Sequence, residues 1–210
     1  MTPISTATNT ALTTIKVGFE AAAIAITPDG KTAYVTNLLS DTVTPISTAT
    51  NTALTAIKVG KRPTVIAITP DGKTAYVANT GLFYGSGFGD TVTPIDIATG
   101  KAGQAIKVGR YPGYIAITPD GKTAYVTDGG GACFCGNMVT PISTATNKAG
   151  RPISAGSADS GVSALAITPD GKTVYVAHYS ADTVTPISTS TNEAGKAIKV
   201  VGSGPIAITP

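Results

Sequence analysis

The sequence of 210 residues contains no tryptophan, two cysteines and few charged side chains. Charged residues make up 13% of the chain and aromatic residues 6%, and the charged share is about half of that in an average soluble domain. Two cysteines exclude the disulfide framework that holds small secreted domains together. No apolar run reaches the roughly 18 residues of a membrane-spanning helix, and the N-terminus does not have the pattern of a signal peptide. We therefore expect no membrane span and no signal peptide in this chain.

Hydrophobic residues make up 42% of the chain, which argues against disorder, and 24 glycines with 14 prolines predict many turns. A chain so poor in charge must hide most of its surface between its own elements, as strands that are buried on both faces do. The net charge of +3 comes from lysines that occur singly along the sequence. Nucleic-acid-binding proteins concentrate Lys and Arg on one stripe, so nucleic acid is not favoured as a partner.

Internal repetition is the strongest signal in the sequence. The hexapeptide Thr-Pro-Asp-Gly-Lys-Thr occurs four times, and the tripeptide Thr-Pro-Ile occurs five times, each at intervals of about 40 to 50 residues. The aspartates of the hexapeptide are Asp29, Asp71, Asp120 and Asp170, and the prolines of the tripeptide are Pro3, Pro45, Pro94, Pro141 and Pro186. A period of this length is typical of repeat folds built from one supersecondary unit.

Each repeat contains four short segments of β type, which we call strands A to D. In the second copy they are predicted over 66–69, 74–78, 91–95 and 105–108. The Pro-Asp-Gly-Lys turn between strands A and B is a strong hairpin signal, because Asp and Gly tolerate positive φ. No long stretch has the 3.6-residue periodicity of an amphipathic helix, so we expect almost no helix.

Four strands recurring at this period predict an all-β fold, a β-propeller whose four-stranded sheets, the blades, pack face to face. The whole chain is interpreted as a single β-propeller domain or a fragment of one. Four full repeats with partial repeats at both ends leave two alternatives, a five-bladed ring with a defective closing blade or an open fragment of a larger ring, and we favour the fragment. The repeats span approximately 1–20 (partial), 21–62, 63–111, 112–161, 162–203 and 204–210 (partial).

The prolines of the tripeptide lie inside strand C, which should be paired on both sides. Proline has no N–H to donate, so it conflicts with such pairing. Because the conflict recurs in every copy, the fold must accommodate it. We expect either a bulge at this point or an unpaired stretch of strand D opposite the proline.

Strand B carries a second repeated motif, Tyr-Val-Thr-Asn, at Tyr34–Asn37 and in related form in the later copies. Together with the hexapeptide, it resembles the YVTN-repeat β-propeller family over essentially the whole chain. The resemblance implies a bacterial or archaeal protein, an extracytoplasmic or surface-layer location, and a full ring of seven blades, which favours the fragment. Two features depart from the family. The last motif position is Asp128 in the third copy and His178 in the fourth, and strand C has Pro where relatives commonly have Val.

The loops predict where binding would occur. In a propeller the B–C and D–A loops share the top face, whereas the A–B and C–D turns share the bottom face. The bottom turns are nearly identical between copies, but the B–C loop is short at 38–41 and long at 80–90 and 129–137. Variable loops on a rigid frame commonly carry binding sites, although neutral variation in loop length is the alternative. The predicted contacts are Arg62, Phe83, Tyr84, Phe88, Arg110, Tyr111, Asp128, Phe134, His178 and Tyr179.

Metal and cofactor chemistry are not favoured. Cys133 and Cys135 supply at most two thiolates, and a closed zinc site needs four ligands. Asp128 and His178 could complete such a site, but a loop thiol pair, reduced or in a local disulfide, is the simpler interpretation. The glycine-rich segment 85–89 precedes a predicted strand, whereas phosphate-binding glycine loops precede a helix. We therefore expect no cofactor.

The sequence favours a non-enzymatic binding or cell-surface display module that is part of a longer repeat protein. Its ligand, left open by the sequence, would be a protein, a glycan or a small molecule. A lactonase-like propeller enzyme is the first alternative, but it would need acidic or His residues in the central channel, and strand A offers Ile, Ala and Thr. Binding of single-stranded nucleic acid through the aromatic and Arg residues of the top face is the second alternative.

Overall fold

The structure is a computed structural model that describes residues 1–81, 88–129, 136–157, 160–202 and 205–208, with only the backbone of Phe88. Throughout these ranges the chain forms strands, turns and irregular segments. They contain no helix with the length and apolar character needed to cross a membrane.

A two-stranded hairpin is followed by four larger antiparallel sheets, blades 1 to 4, within the described residues. In each blade, strand D consists of two short strands that both pair with strand C. The hairpin is β1 (Ile4–Ser5) and β2 (Thr10–Ala11); blade 1 is β3 (Ala21–Ile26), β4 (Thr32–Asn37), β5 (Thr42–Ser47), β6 (Thr52–Ala53) and β7 (Ile57–Lys58); blade 2 is β8 (Pro63–Ile68), β9 (Thr74–Gly81), β10 (Phe88–Asp96), β11 (Lys101–Ala102) and β12 (Ile106–Lys107); blade 3 is β13 (Ile115–Ile117), β14 (Thr123–Asp128), β15 (Met138–Ser143), β16 (Lys148–Ala149) and β17 (Ile153–Ser154); blade 4 is β18 (Val162–Ile167), β19 (Thr173–His178), β20 (Thr183–Ser188), β21 (Glu193–Ala194) and β22 (Ile198–Lys199).

Consecutive blades pack face to face, as predicted. Because side chains alternate along a strand, each blade has two apolar faces. We call the face toward the next blade the trailing face and the face toward the preceding blade the leading face. Between blades 2 and 3, the trailing residues Tyr76, Val92 and Ile106 form one cluster with the leading residues Ala124, Val126 and Ile142. Equivalent clusters join blade 1 to blade 2 and blade 3 to blade 4. Each fully buried large aliphatic side chain contributes roughly 1.5–3 kcal/mol to the free energy of folding.

The hexapeptide forms the predicted A–B hairpin in every blade. In blade 1 the Gly30 N–H donates to the Thr27 carbonyl at 2.8 Å, and Thr27 Oγ1 donates to Asp29 Oδ1 at 2.6 Å. Thr27 Oγ1 also accepts the Thr32 N–H at 3.1 Å. Within this turn only Gly30 has a positive φ, +71°. Pro and Asp occupy the two central positions and glycine the last one, which is the residue order that a type I turn favours.

The proline of strand C lies opposite the interruption in strand D. The Pro45 carbonyl accepts the Leu54 N–H at 2.8 Å, and 54–56 then leave the sheet before strand D resumes at Ile57. The N and C=O of one strand residue point to the same side, so the missing proline N–H falls on this unpaired stretch. The expectation of an unpaired stretch of strand D is therefore confirmed. The other blades repeat it, with Pro94, Pro141 and Pro186 accepting from Gly103, Gly150 and Gly195.

Two polar contacts also join consecutive blades near the bottom face. Tyr76 Oη of strand B in blade 2 donates to Asn147 Oδ1 in the C–D turn of blade 3 at 2.6 Å. Tyr125 Oη of blade 3 donates to Asn192 Oδ1 of blade 4 at 2.7 Å. Both asparagines have a positive φ, +53° and +57°. Burial raises the pKa of Tyr76 to about 12, so its hydroxyl keeps the proton that it donates.

Candidate functional site

The top face is built from D–A loops, each held between two blades by backbone hydrogen bonds. In the loop that enters blade 3, the Tyr111 N–H donates to the Gly89 carbonyl of blade 2 at 2.9 Å. The Arg110 carbonyl of the same loop accepts the Gly129 N–H of blade 3 at 2.7 Å. The loop that enters blade 2 is also bonded to two blades. The Arg62 N–H donates to the side-chain Oδ1 of Asp41 in blade 1 at 2.9 Å, and the Arg62 carbonyl accepts the Thr80 N–H of blade 2 at 3.1 Å. These loops are therefore fixed parts of the structure.

Three large residues occupy the same strained position in consecutive D–A loops. Glu20, Arg62 and Tyr111 have φ values of +57°, +49° and +54°. A side chain in this left-handed region costs about 1 kcal/mol relative to the usual conformation. The same position in the D–A loop of blade 4 is Gly161, with φ +55°, so glycine can fill this position. Strained residues of this kind occur at functional sites, and we interpret these three as candidates for ligand contact.

The predicted contact residues differ in exposure. Arg110 is exposed and Arg62 is half-buried, whereas Tyr111 is buried at 8% exposure. Tyr179, in the B–C loop of blade 4, is exposed. Arg62, Arg110 and Tyr111 thus belong to two successive D–A loops, and Tyr179 lies at the same face of blade 4.

The remaining loop candidates are not described by the structure and stay predictions. Phe83, Tyr84 and Phe134 lie outside the described residues, as do Cys133 and Cys135. For Phe88, only the backbone position at the start of β10 is known.

The last position of the Tyr-Val-Thr-Asn motif in strand B is buried in all four blades, which the sequence did not indicate. In blade 1, Asn37 Nδ2 donates to Thr44 Oγ1 of strand C at 2.8 Å, and in blade 2, Asn79 makes the same bond to Thr93 at 2.9 Å. A glycine of the D–A loop lies against this side chain. A Cβ atom on Gly18 would come within 2.7 Å of the Asn37 side chain. We call this arrangement the top joint, because it connects strands B and C to the D–A loop.

Asp128 forms the top joint of blade 3. Its Oδ1 accepts the Gly109 N–H at 3.0 Å, and its Oδ2 accepts the Thr140 hydroxyl at 2.7 Å. Burial raises the pKa of the Asp128 carboxyl to about 6, although the two hydrogen bonds oppose this shift. The protonation state of the Asp128 carboxyl therefore changes around pH 6.

His178 forms the top joint of blade 4 and has no exposed surface. Its Nδ1 lies 3.1 Å from Ser160 Oγ and its Nε2 lies 3.1 Å from Thr185 Oγ1. Burial lowers the pKa of the imidazole, which favours its neutral form. His178 is therefore buried inside the blade, although the sequence predicted it to be a ligand contact of the top-face loops.

A pocket of about 480 Å³ opens at the top of blade 3. Its wall includes Arg110, Tyr111 and Asp128, which the sequence predicted, and Met138 and Pro152, which it did not. Its volume lies in the range of small-molecule sites, and its mixture of apolar walls and a few polar groups is typical of them. Pockets of this kind accept an organic molecule that has both an apolar and a polar part.

Comparison of the copies could have found Met138. Met138 is the first residue of strand C in blade 3 and pairs with Asp128. At the equivalent position the other three blades have Thr42, Thr91 and Thr183. Pro152 is the last residue of the interruption in strand D, between Lys148–Ala149 and Ile153–Ser154, and no repeated marker falls on it. In the described ranges, no group of three His, Cys, Asp or Glu side chains is arranged to hold a metal ion.

Solved structures resemble this arrangement of sheets. Hydrazine synthase of Kuenenia stuttgartiensis aligns with a TM-score of 0.74 and 30% identity, covering 89% of this chain and 51% of that one. Dihydro-heme d1 dehydrogenase NirN in complex with DHE aligns with a TM-score of 0.73 and 14% identity, covering 95% and 42%. Both are β-propeller proteins. This chain is a β-propeller.

A third match is a functionally unknown protein from Desulfotomaculum acetoxidans DSM 771, with a TM-score of 0.73, 18% identity, and coverage of 98% of this chain and 66% of that one. The chain thus spans less than two thirds of each of these three proteins. No protein-family model and no curated protein matches the sequence. The comparisons support the propeller fold, while the YVTN family and the number of blades in a full ring stay predictions.

Proposed function

We propose that this propeller is a non-enzymatic binding module of the YVTN-repeat type, displayed outside a bacterial or archaeal cell, and that its ligand contacts the top face. The observation that supports this most is the contrast between D–A loops. Arg62 and Tyr111 occupy a left-handed backbone position that blade 4 fills with Gly161. A large side chain at a position that favours glycine lowers stability, and such a cost is typical of residues that serve binding.

The pocket of blade 3 is the centre of this proposed site. Tyr111, Met138 and Pro152 are apolar residues of its wall, and Arg110 is a positively charged residue of the same wall. Guanidinium groups bind carboxylates with two parallel hydrogen bonds. The class of ligand that fits is therefore an organic carboxylate, such as a uronic acid of a glycan or an aromatic acid. Asp128 loses its negative charge below pH 6, so we expect tighter binding of such a ligand at pH 5 than at pH 8.

Calorimetric titration with benzoate and with a galacturonate trimer tests this proposal. Arg110→Ala and Met138→Thr each remove one side chain from the wall of the pocket. Threonine is the residue that the other three blades have at the position of Met138. Lys122→Ala is the matched control, because it removes one positive charge from the bottom turn of the same blade. We expect both pocket variants to bind at least about fivefold more weakly and the control to bind as the wild type does, since one lost contact is worth about 1 kcal/mol.

Two results would contradict the proposal. If neither probe binds to the wild type, the ligand class is wrong. If both probes bind but Arg110→Ala and Met138→Thr leave the affinity unchanged, the pocket is not the site.

A lactonase-like enzyme is the second candidate, and one observation favours it. A buried carboxyl whose pKa is raised to about 6, at the wall of a pocket, is typical of groups that transfer protons in catalysis. Hydrolysis of γ-butyrolactone by the wild type and its loss in Asp128→Asn would support this enzyme. The binding module predicts no hydrolysis by either form and retained binding of the carboxylate probes by the variant.

A further inference from the structure

Two consecutive interfaces each contain a cleft between the interrupted strand D of one blade and the C–D turn of the next. We call the cleft between blades 1 and 2 the first cleft and the cleft between blades 2 and 3 the second cleft. Both have a complete blade on each side, and their volumes are about 760 Å³ and about 510 Å³. The turn at the second cleft has Asn147, whereas the turn at the first cleft has Gly100 at the same position. The larger cleft is therefore the one whose turn lacks the asparagine.

The missing asparagine leaves a buried tyrosine hydroxyl without a partner. At the second cleft, Tyr76 Oη donates to Asn147 Oδ1 at 2.6 Å. Tyr34 is the equivalent residue of blade 1, is 3% exposed and lines the first cleft. Its hydroxyl makes no hydrogen bond to any residue that the structure describes. Buried polar side chains almost always have a hydrogen-bond partner, so the Tyr34 hydroxyl is available to a group that enters the cleft.

The backbone of the turn is the same at both clefts. The Gly100 N–H donates to the Asp96 carbonyl at 2.9 Å, as the Asn147 N–H does to the Ser143 carbonyl at 2.8 Å. Gly100 has φ +64° and Asn147 has φ +53°. A Cβ atom on Gly100 would meet no atom within 4 Å. The first cleft thus has room for the asparagine side chain, and only the residue type leaves that room open.

Tyr34 is a hydrogen-bond donor at this position. Burial and the negative charge of Asp96 raise the pKa of Tyr34, so its hydroxyl keeps the proton. The Asp96 carboxylate itself is bonded within its own turn, because its Oδ1 accepts both the N–H and the hydroxyl of Thr99 at 2.7 Å. The group that Tyr34 would bind is therefore an acceptor oxygen, as Asn147 Oδ1 is for Tyr76.

Two lysines give the first cleft a positive charge. Lys58 of strand D and Lys101 at the end of the C–D turn both line the cleft and are exposed. Neither forms a salt bridge with a residue in the described part of the chain. At the second cleft, the equivalent of Lys58 is Lys107, whose Nζ lies 3.8 Å from Asp90 Oδ2. The first cleft therefore combines a buried donor with two lysines that no carboxylate neutralises at close range.

We propose that the first cleft binds a sugar ester of a tetrahedral oxyanion, a sugar phosphate or a sugar sulfate. An ester oxygen accepts the Tyr34 hydroxyl at the place that the asparagine oxygen takes in the second cleft, and Lys58 and Lys101 balance the charge. Lysine is a compact charge with three donors and binds phosphate well, whereas the planar guanidinium of arginine suits a carboxylate. The volume of the cleft lies in the range of small-molecule sites. This site does not depend on the proposed ligand site at the top of blade 3.

Calorimetric titration of the full chain with glucose 6-phosphate, glucose 6-sulfate and glucose tests this proposal. We expect at least one of the two esters to bind at one molecule per chain, and the ester that binds more tightly identifies the source of the oxyanion. Glucose, which lacks the charged group, should bind at least about tenfold more weakly, because hydrogen bonds to charged groups are the strong ones. If neither ester binds, or if glucose binds as tightly as the esters, the proposal is overturned.

The exchange of glycine and asparagine between the two clefts locates the site. Gly100→Asn should weaken ester binding at least about tenfold, because the new side chain takes the Tyr34 hydroxyl and fills the cleft. Asparagine already has a positive φ at this position in three other C–D turns, so the variant should fold. Asn147→Gly is the converse change, which releases the Tyr76 hydroxyl beside Lys107 and Lys148. We expect this variant to bind two ester molecules per chain.

Two further variants separate the hydroxyl from general charge. Tyr34→Phe removes only the donor and should weaken ester binding at least about fivefold, the usual effect of one hydrogen bond. Lys122→Ala removes a lysine from the A–B turn of blade 3 and should bind the ester as the wild type does. Ester binding that Gly100→Asn and Tyr34→Phe leave unchanged would assign the ester to another surface and overturn the proposal. An Asn147→Gly variant that still binds one molecule would contradict the role of the tyrosine hydroxyl.

Discussion

The bottom and top faces of this propeller connect the same strands by different means. At the bottom, every A–B turn repeats one set of hydrogen bonds, in which a threonine hydroxyl donates to the aspartate of the hexapeptide. At the top, the joint between strand B, strand C and the D–A loop uses three types of side chain in the four blades. These side chains are Asn37, Asn79, Asp128 and His178.

This difference shows what each face requires. The bottom turn needs a particular backbone, because a glycine must take positive φ after proline and aspartate, and few sequences satisfy that. The top joint needs a buried polar side chain that reaches the strand C threonine and fits against a loop glycine. Asn79 bonds to Thr93 and His178 bonds to Thr185 with very different side chains. The top joint therefore tolerates a change of its polar side chain but not of the glycine packed against it, whereas the bottom turn repeats the same residues in every blade. Four substitutions test this contrast.

The largest expected effect is that of Gly109→Ala in the top joint of blade 3. The added Cβ would lie 2.3 Å from Cγ of Asp128, so the D–A loop or strand B must move. We expect a loss of about 3 kcal/mol in the free energy of unfolding, measured by urea denaturation. Gly103→Ala is the control, because its Cβ would meet Pro94 Cγ at 3.2 Å, a contact that a small shift relieves, and we expect a loss below about 1 kcal/mol. Equal losses in both variants would show that the top joint is not tightly packed.

Asp128→Asn should have an effect of nearly the same size and of opposite sign at neutral pH. The pKa of this carboxyl is about 6 in the folded protein and 3.8 in the unfolded chain, so the folded state holds the proton more strongly. Its contribution to stability is complete below pH 3.8 and is lost as the pH rises to 6, on the order of 3 kcal/mol in total. Asparagine stays neutral, as in blades 1 and 2.

Urea denaturation of the wild type and of Asp128→Asn at several pH values measures this difference. We expect the variant to be more stable at pH 7, by about 1 to 3 kcal/mol, and the advantage to disappear toward pH 4. A constant difference between the two proteins across this range would mean that Asp128 does not titrate as its burial requires.

A smaller effect is expected from Gly30→Ala at the bottom face. Gly30 has φ +71°, and no atom lies within 4 Å of the added Cβ, so the change introduces backbone strain alone. We expect a loss of about 1 kcal/mol by thermal or urea unfolding. An unchanged stability would show that the turn can relax, and the bottom turn would then have no strict backbone requirement.

The smallest effect on stability is expected from Arg62→Gly at the top face. Glycine relieves the strain of the left-handed position but increases the entropy of the unfolded chain, so we expect a gain of less than about 1 kcal/mol. The N–H that bonds to Asp41 is retained. If Arg62 serves binding, the variant also binds the carboxylate probes more weakly. A loss of stability with unchanged binding would assign Arg62 a structural role.

Much of the fold could be predicted from the sequence, because the signals for it are local. The repeat period and the Pro-Asp-Gly turns predicted the four-stranded blades. The prolines predicted either a bulge or an unpaired stretch of strand D, and the structure has the unpaired stretch. Strand D is predicted incompletely, since the range 105–108 contains only its second half and leaves out Lys101–Ala102. The bond from Tyr76 to Asn147 was not predicted, because its partners are 71 residues apart and meet only when two blades pack at the right angle.

The candidate site was predicted less well. Variation between copies selected Arg62, Arg110 and Tyr111, which lie in the D–A loops and stay predicted contacts, but it also selected Asp128 and His178, whose side chains are buried in the top joints. The reason is that one buried position accepts several polar side chains, so variation by itself does not indicate exposure. The threonine that precedes each strand C proline was the available signal, because a constant hydroxyl in a buried strand requires a polar neighbour.

The break that proline causes in strand D has a consequence for solubility. Strand D is an edge of each blade, and the unpaired backbone groups of a long, flat edge would recruit strands from other molecules into fibrils. With 13% charged residues, this chain has little electrostatic repulsion to prevent such aggregation. Edge strands of two residues are too short to serve as a template, so the repeated proline protects each blade where charge does not.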